Sequence, residues 1–175
     1  MRPRAALPAT SPPGHNGVMA EPLSRMTAQQ SAAWLALVGT AELLPAALDA
    51  QLQRDSAMTH YEFILLSALQ RQGAQRLSDL AAATNATLPR ASKVVSRLQQ
   101  RGLIEREESA EDRRSVRLTI SKEGRRQLVL ATPGHFETAH RLVLDRLTDE
   151  QLANLADALG PVVEALDPQR RFGPF

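Results

Sequence analysis

The sequence predicts a mainly α protein with one small β-hairpin, and three observations carry that expectation. Residues 87–101, TLPRASKVVSRLQQR, place Ala91, Val94, Val95 and Leu98 at helical spacing, with Arg90, Lys93, Ser96, Arg97 and Gln100 towards the other side. Just upstream, residues 77–84, LSDLAAAT, read as a one- to two-turn helix, joined to the basic one by a short turn at Asn85 and Ala86. Just downstream, residues 103–107 and 115–120 alternate apolar and polar side chains as paired strands do, around the charged tip 108–114. Two short helices, the second basic, followed by a charged hairpin make a winged helix-turn-helix core.

Residues 1–25 carry Pro3, Pro8, Pro12, Pro13 and Pro22 among Ala, Ser and Gly. They bury too little to offset the entropy of ordering, so a disordered arm is expected, or one that orders on a partner subunit. Met19 or Met26 would serve as an alternative start. A dimerisation helix is expected over 26–57, entered through a capping box at Thr27 and Gln30. Its stripe is Trp34, Val38, Ala41, Leu44, Leu48 and Leu52, with a kink at Pro45. Trp34, the only tryptophan, is either a core or interface anchor or a stacking surface for a ligand.

The winged-helix domain is expected over 58–120. It opens on the box Thr59-His60-Tyr61-Glu62, with Met58 and Phe63 as a hydrophobic staple and a helix running to about Gln70. His60 and Tyr61 either line a pocket or form a partly exposed pair. After a turn over 72–75, Ser78 is the expected cap of the short helix and Leu77 a third short strand beside the hairpin. Thr87 caps the basic helix, Pro89 sits in its first turn, and Gly102 supplies the left-handed stop.

Residues 121–167 are expected to form C-terminal dimerisation helices. Leu128 and Leu130 lie on the first, which Thr132-Pro133-Gly134 interrupts, Thr132 capping a new helix that Pro133 begins. Phe136, Ala139, Val143 and Leu147 continue the stripe. Thr148 and Gln151 then form a capping box before Leu152, Leu155, Leu159, Val162, Val163 and Leu166. That is more apolar surface than one winged helix covers, so a two-fold homodimer built from both ends is expected. Residues 168–175 form a frayed tail.

Composition narrows the function. The formal charge is only +2, but residues 76–126 hold twelve Lys or Arg against seven Asp or Glu, a net of +5 that leaves −3 for the remainder. A basic excess coinciding with the helix-turn-helix is the footprint of a phosphate-binding face. The absence of cysteine excludes disulfides, thiolate metal sites and thiol redox sensing. No apolar run is expected to reach the roughly 18 to 20 residues that cross a bilayer, and Arg2 and Arg4 have no apolar stretch behind them. A soluble, cytoplasmic protein without membrane partners is expected. There is no G-x-S-x-G, no G-x-x-x-x-G-K and no H-E-x-x-H, so no enzyme and no cofactor are expected. His135 and His140, five apart, point about 140° away from each other on a helix and chelate a metal poorly.

The run RLSDLAAATNATLPRASKVVSRLQQRGLIEREESAEDRRSVRLTISKEGR resembles the winged-helix core of the MarR family of transcriptional regulators. RLQQRGLI leads into the wing, Asp112-Arg113-Arg114 forms its tip, and Leu118-Thr119 precedes Ser121-Lys122-Glu123-Gly124. With the flanking helices the resemblance extends to roughly residues 27–167. It implies a sequence-specific duplex-DNA-binding regulator, a ligand-responsive dimeric repressor on a pseudo-palindromic operator. Thr87, Pro89, Arg90, Ser92, Lys93, Ser96 and Arg97 would then face the major groove. Arg114 would enter the flanking minor groove beside Arg113, with Asp112 orienting the wing. A small aromatic or phenolic ligand would bind between the dimerisation helices and the DNA-binding lobe, with Trp34, His60 and Tyr61 as candidates. Two alternatives stay open: a winged-helix module that docks a protein without DNA readout, and a metal-responsive repressor.

Overall fold

Among the described residues, six α-helices and one hairpin follow in the order α1 (Ala28–Ser56), α2 (His60–Gln72), α3 (Leu77–Ala83), α4 (Leu88–Gln100), β1 (Ile104–Glu108), β2 (Val116–Ile120), α5 (Lys122–Leu142) and α6 (Asp149–Leu166). The structure, a computed structural model, describes residues 26–108 and 116–171. The arm over residues 1–25 and the wing residues Asp112, Arg113 and Arg114 lie outside the described residues. Two units divide the chain, Met1–Leu43 and Leu44–Phe175, and α1 passes from the first into the second.

α1 begins on the expected box: the Thr27 N–H donates to Gln30 Oε1 at 2.8 Å and the Gln30 N–H to Thr27 Oγ1 at 3.1 Å. Pro45 lies inside the helix and does not end it. The expectation that no run could cross a bilayer is corrected here. α1 is 29 residues long and contains an 18-residue window of mean hydropathy 1.4, enough by length and composition. Gly39, Thr40, Glu42 and Pro45 break the run to the eye, but Ala, Leu and Val around them keep the average high.

The core of the second unit gathers Leu52 from α1, Leu65, Leu66 and Leu69 from α2, Leu80 from α3 and Leu98 from α4, all fully buried. Burying that face holds the short helices, since helices of seven or thirteen residues are marginal alone. α2 starts on the predicted Thr59–Glu62 capping box, and Met58 and Phe63 are both buried. β1 pairs antiparallel with β2 from Ile104↔Ile120 to Glu108↔Val116.

Three local expectations are corrected. Gln75 rather than Leu77 makes the third strand contact, exchanging both backbone bonds with Leu118 at 3.0 and 2.7 Å. Because that bridge holds the chain to the sheet through Gln75, α3 starts directly after it, with Arg76 rather than Ser78 at its N-cap. α5 is continuous across Thr132-Pro133-Gly134. Pro133 removes a single N–H, while Leu128, Ala131 and Thr138 keep the helix buried on both sides of it. Thr132 is therefore no cap; its hydroxyl donates to the Leu128 carbonyl at 2.7 Å.

The start of α5 is locked to the end of α4. The Ser121 hydroxyl donates to the Gly102 carbonyl at 2.6 Å and accepts from the Gly124 N–H at 2.9 Å. Gly102 has φ 71°, the left-handed stop expected after the basic helix. Gly124 lies so close to the Leu103 carbonyl that a Cβ there would collide with it. α6 opens on the expected Thr148–Gln151 box, yet none of its residues is buried, and Leu166 is 79% exposed.

Candidate nucleic-acid interface

α4 has two sharply different faces. Ala91, Val94, Val95 and Leu98 are buried as expected, which turns the opposite side outward. Thr87, Pro89, Arg90, Lys93 and Arg97 are exposed there, and Ser92 and Ser96 are half-buried along its margins. Asn85 turns the chain from α3 into α4 at φ 48°, a left-handed position that an asparagine tolerates. Thr87 occupies the N-cap in extended conformation but makes no side-chain cap bond. Pro89 explains this: at the second helical position it removes one of the two N–H groups such a cap can reach.

The first turn of α2 holds this helix at both ends. At its start, the Arg90 guanidinium carbon lies 4.4 Å from the centre of the Tyr61 ring. The Tyr61 hydroxyl is 3.1 Å from Thr84 Oγ1, which lies 2.8 Å from the Leu80 carbonyl. Thr84 has one hydroxyl proton and gives it to Leu80, so Tyr61 donates to Thr84. Nearer the end of α4, Glu62 Oε1 accepts from Arg97 Nε at 2.8 Å and from Arg101 at 3.2 Å. Its other oxygen accepts the Thr59 N–H at 2.7 Å. Burial alone would push the Glu62 carboxyl up, but the Thr59 bond and the Arg97 guanidinium together hold it below its ordinary 4.5.

His60 faces the other way. Its backbone N–H donates to Asp49 Oδ1 at 2.8 Å, and its ring stacks on His135 of α5 at 5.6 Å between centroids. His135 also lies 4.3 Å from the Phe63 ring. Burial lowers the pKa of both imidazoles. Asp49 opposes that shift at His60, and His60 adds to it at His135. His140 is separate from this pair, with Nδ1 3.2 Å from Asp145. Among the described residues no group of three or more His, Asp or Glu is arranged to hold a metal. Trp34 is on the part of α1 within the first unit and is 50% exposed.

Two contributors escape sequence reasoning. Leu88, the first residue of α4, is 51% exposed beside Pro89 and Arg90. Thr87 and Pro89 on either side of it signal a helix start and nothing about exposure. Glu62 is legible only as half of a capping box, because its arginine partners are 35 and 39 positions away. The wing base is tied to the same helix, Arg106 Nε donating to Gln99 Oε1 at 3.0 Å.

Comparison with known proteins places this geometry. The MarR family profile matches residues 58–116. HTH-type transcriptional repressor YetL of Bacillus subtilis is 27% identical over 139 residues, 73% of this chain and 83% of YetL. AbsC, a MarR family transcriptional regulator from Streptomyces coelicolor, superposes with a TM-score of 0.74 at 29% identity, over 81% of this chain and 96% of AbsC. Sco3205, a MarR family transcriptional regulator from the same organism solved in complex with DNA, has a TM-score of 0.74 at 34% identity. That match spans 81% of this chain and 93% of Sco3205. With a winged helix-turn-helix of this form and that degree of identity over nearly all of a solved member, the chain belongs to the MarR family of transcriptional regulators.

Proposed function

We propose that this chain is a homodimeric transcriptional repressor that reads a pseudo-palindromic duplex operator, placing two copies of α4 in successive major grooves. One observation carries the reading: α4 buries its apolar face and turns Arg90, Lys93 and Arg97 outward with Thr87 and Pro89. The net +5 of residues 76–126 supplies the attraction to phosphate. The DNA complex of Sco3205 and the repressor name of YetL support it. Arg114, with Asp112 anchoring the loop and Arg113 beside it, serves the flanking minor groove. The apolar faces of α1 and α6 cover a second copy rather than lipid, and a regulator of this kind works in the cytoplasm.

Repression is relieved by a small aromatic or phenolic ligand; His60 and Tyr61 on α2 are candidate contacts, and Trp34 on α1 is a separate candidate. Since the Tyr61 ring already carries Arg90, a ligand stacking there competes with that contact. Titrating aromatic acids and phenols against the fluorescence of Trp34, the sole tryptophan, tests the ligand reading. No spectral change and no release from DNA would remove it.

The deciding experiment is selection of DNA from a random pool by the full chain. Enrichment of two inverted half-sites about 10 base pairs apart is expected; an unenriched pool overturns the function. Sedimentation at micromolar concentration should give about twice the 19.1 kDa chain mass. A monomer would remove the two-half-site geometry.

A further inference from the structure

We propose that Tyr61 is a positioning residue for base readout, its ring being the surface that holds the Arg90 guanidinium in the attitude from which it enters the major groove. The inference rests on the DNA-reading function above and assigns a part of it to a residue that does not itself reach DNA.

Arg90 sits in the first turn of α4, where side chains of a recognition helix approach base edges. It is exposed, and among the described residues no carboxylate pairs with it. A free arginine loses much rotamer freedom when it forms a bidentate contact with a base. Here the guanidinium is already held, 4.4 Å over the Tyr61 ring, by attraction to the negative π face. A guanidinium that lies flat on an aromatic face keeps its N–H edge, the part that pairs with guanine O6 and N7, free of the ring.

The ring is held in its turn. Tyr61 is half-buried against the core, and its hydroxyl donates to Thr84, the residue that closes α3. One side chain on α2 therefore touches the end of the first helix of the helix-turn-helix and the start of the second. Arg97 provides the contrast, because its guanidinium is drawn to the buried carboxylate of Glu62. Arg90 has a partner that orients it without neutralising its charge. That is the arrangement a base-reading arginine requires.

The test compares the full chain with Arg90→Ala, Tyr61→Leu, Tyr61→Phe and the double variant Tyr61→Leu/Arg90→Ala on a library of randomised half-sites. Arg90→Ala should flatten the preference at one base position. Tyr61→Leu should flatten the same position by roughly 5-fold, and the double variant should be no flatter than Arg90→Ala alone. Tyr61→Phe keeps the ring face and should retain most of the preference. Tyr61 is the only tyrosine, so its labelled ring resonances can be followed alone, and Arg90→Ala should shift them. Thermal melting shows whether each variant folds. If Tyr61→Leu does not, Tyr61→Phe and the ring resonances decide.

Equal weakening on every sequence by Tyr61→Leu, or flattening at a position Arg90 does not read, overturns the proposal. So does a Tyr61→Phe variant as flat as Tyr61→Leu, or ring resonances indifferent to Arg90. A wild-type chain that selects no sequence instead overturns the DNA-reading function itself, a separate result from any of these.

Discussion

Glu62 Oε1 and Arg97 Nε lie 2.8 Å apart, joining the first turn of α2 to the last turns of α4. The carboxylate is 2% exposed and the guanidinium side chain 47%, so the acid is the committed partner and the arginine remains reachable from solvent. Through this pair α4 is tied to the same turn that carries His60 and Tyr61.

Glu62→Gln should destabilise the protein by about 1 to 3 kcal/mol, the usual cost of losing charge-assisted bonds around one buried acceptor. Urea unfolding at pH 7 measures it. The carboxyl pKa is lowered in the folded state, so its stabilisation is present above the ordinary 4.5 and lost as pH falls through the lower folded value. The variant should show a shallower acid decline than the wild type. Equal acid slopes would mean that the pair contributes nothing.

The His60–His135 stack makes stability depend on mild acid. Burial depresses both pKa values, so below the ordinary 6.5 the unfolded chain binds protons that the folded one resists. Stability should be full above about pH 6.5 and decline as pH falls through the folded values. His135→Phe should flatten that decline. A urea midpoint unchanged between about pH 7.5 and 5.5 would refute it.

Gly124→Ala forces a methyl group against the Leu103 carbonyl, which is backbone and cannot rotate aside. A loss of about 1 to 3 kcal/mol is expected, as for other overpacked sites. By contrast, a Cβ at Gly160 meets nothing within 4 Å beyond its chain neighbours, so Gly160→Ala should cost less than Gly124→Ala. Thermal melts of the two variants read the difference directly.

Lys93 and Arg97 should part company on DNA. Lys93→Ala removes an exposed charge from α4 and should weaken binding on all sequences. It should also lower the salt slope by about 2 for a dimer, as each neutralised phosphate contributes roughly 0.9. Arg97→Ala should cost folding stability as well, because it leaves Glu62 short of a partner. Salt-series titrations paired with melts separate the two; an Arg97→Ala variant as stable as wild type would assign that residue to DNA alone.

Periodicity and caps made most of the elements legible in the chain alone. The stripe Ala91, Val94, Val95 and Leu98 is buried as spaced, and the boxes at Thr27, Thr59 and Thr148 open their helices as read. These signals are local: a cap bond spans three residues and a stripe repeats every three or four, so neighbouring sequence contains them entirely. Where the reading went astray, distant contacts had overruled local chemistry. Pro133 could not break α5 because buried residues on either side held the helix, and Gln75 displaced Leu77 from the sheet because Leu118 met it there.

The basic character of α4 was likewise written in its residues, but not what each cation does. Sequence spacing puts Arg90, Lys93 and Arg97 on one exposed face; only the packing of α2 against α4 gives Arg90 an aromatic platform and Arg97 a buried carboxylate. The physical reason is range. Side-chain charge and helical period belong to single residues and their neighbours in the chain. A cation–π contact between positions 61 and 90, or an ion pair between 62 and 97, exists only once the hydrophobic core has brought two helices together.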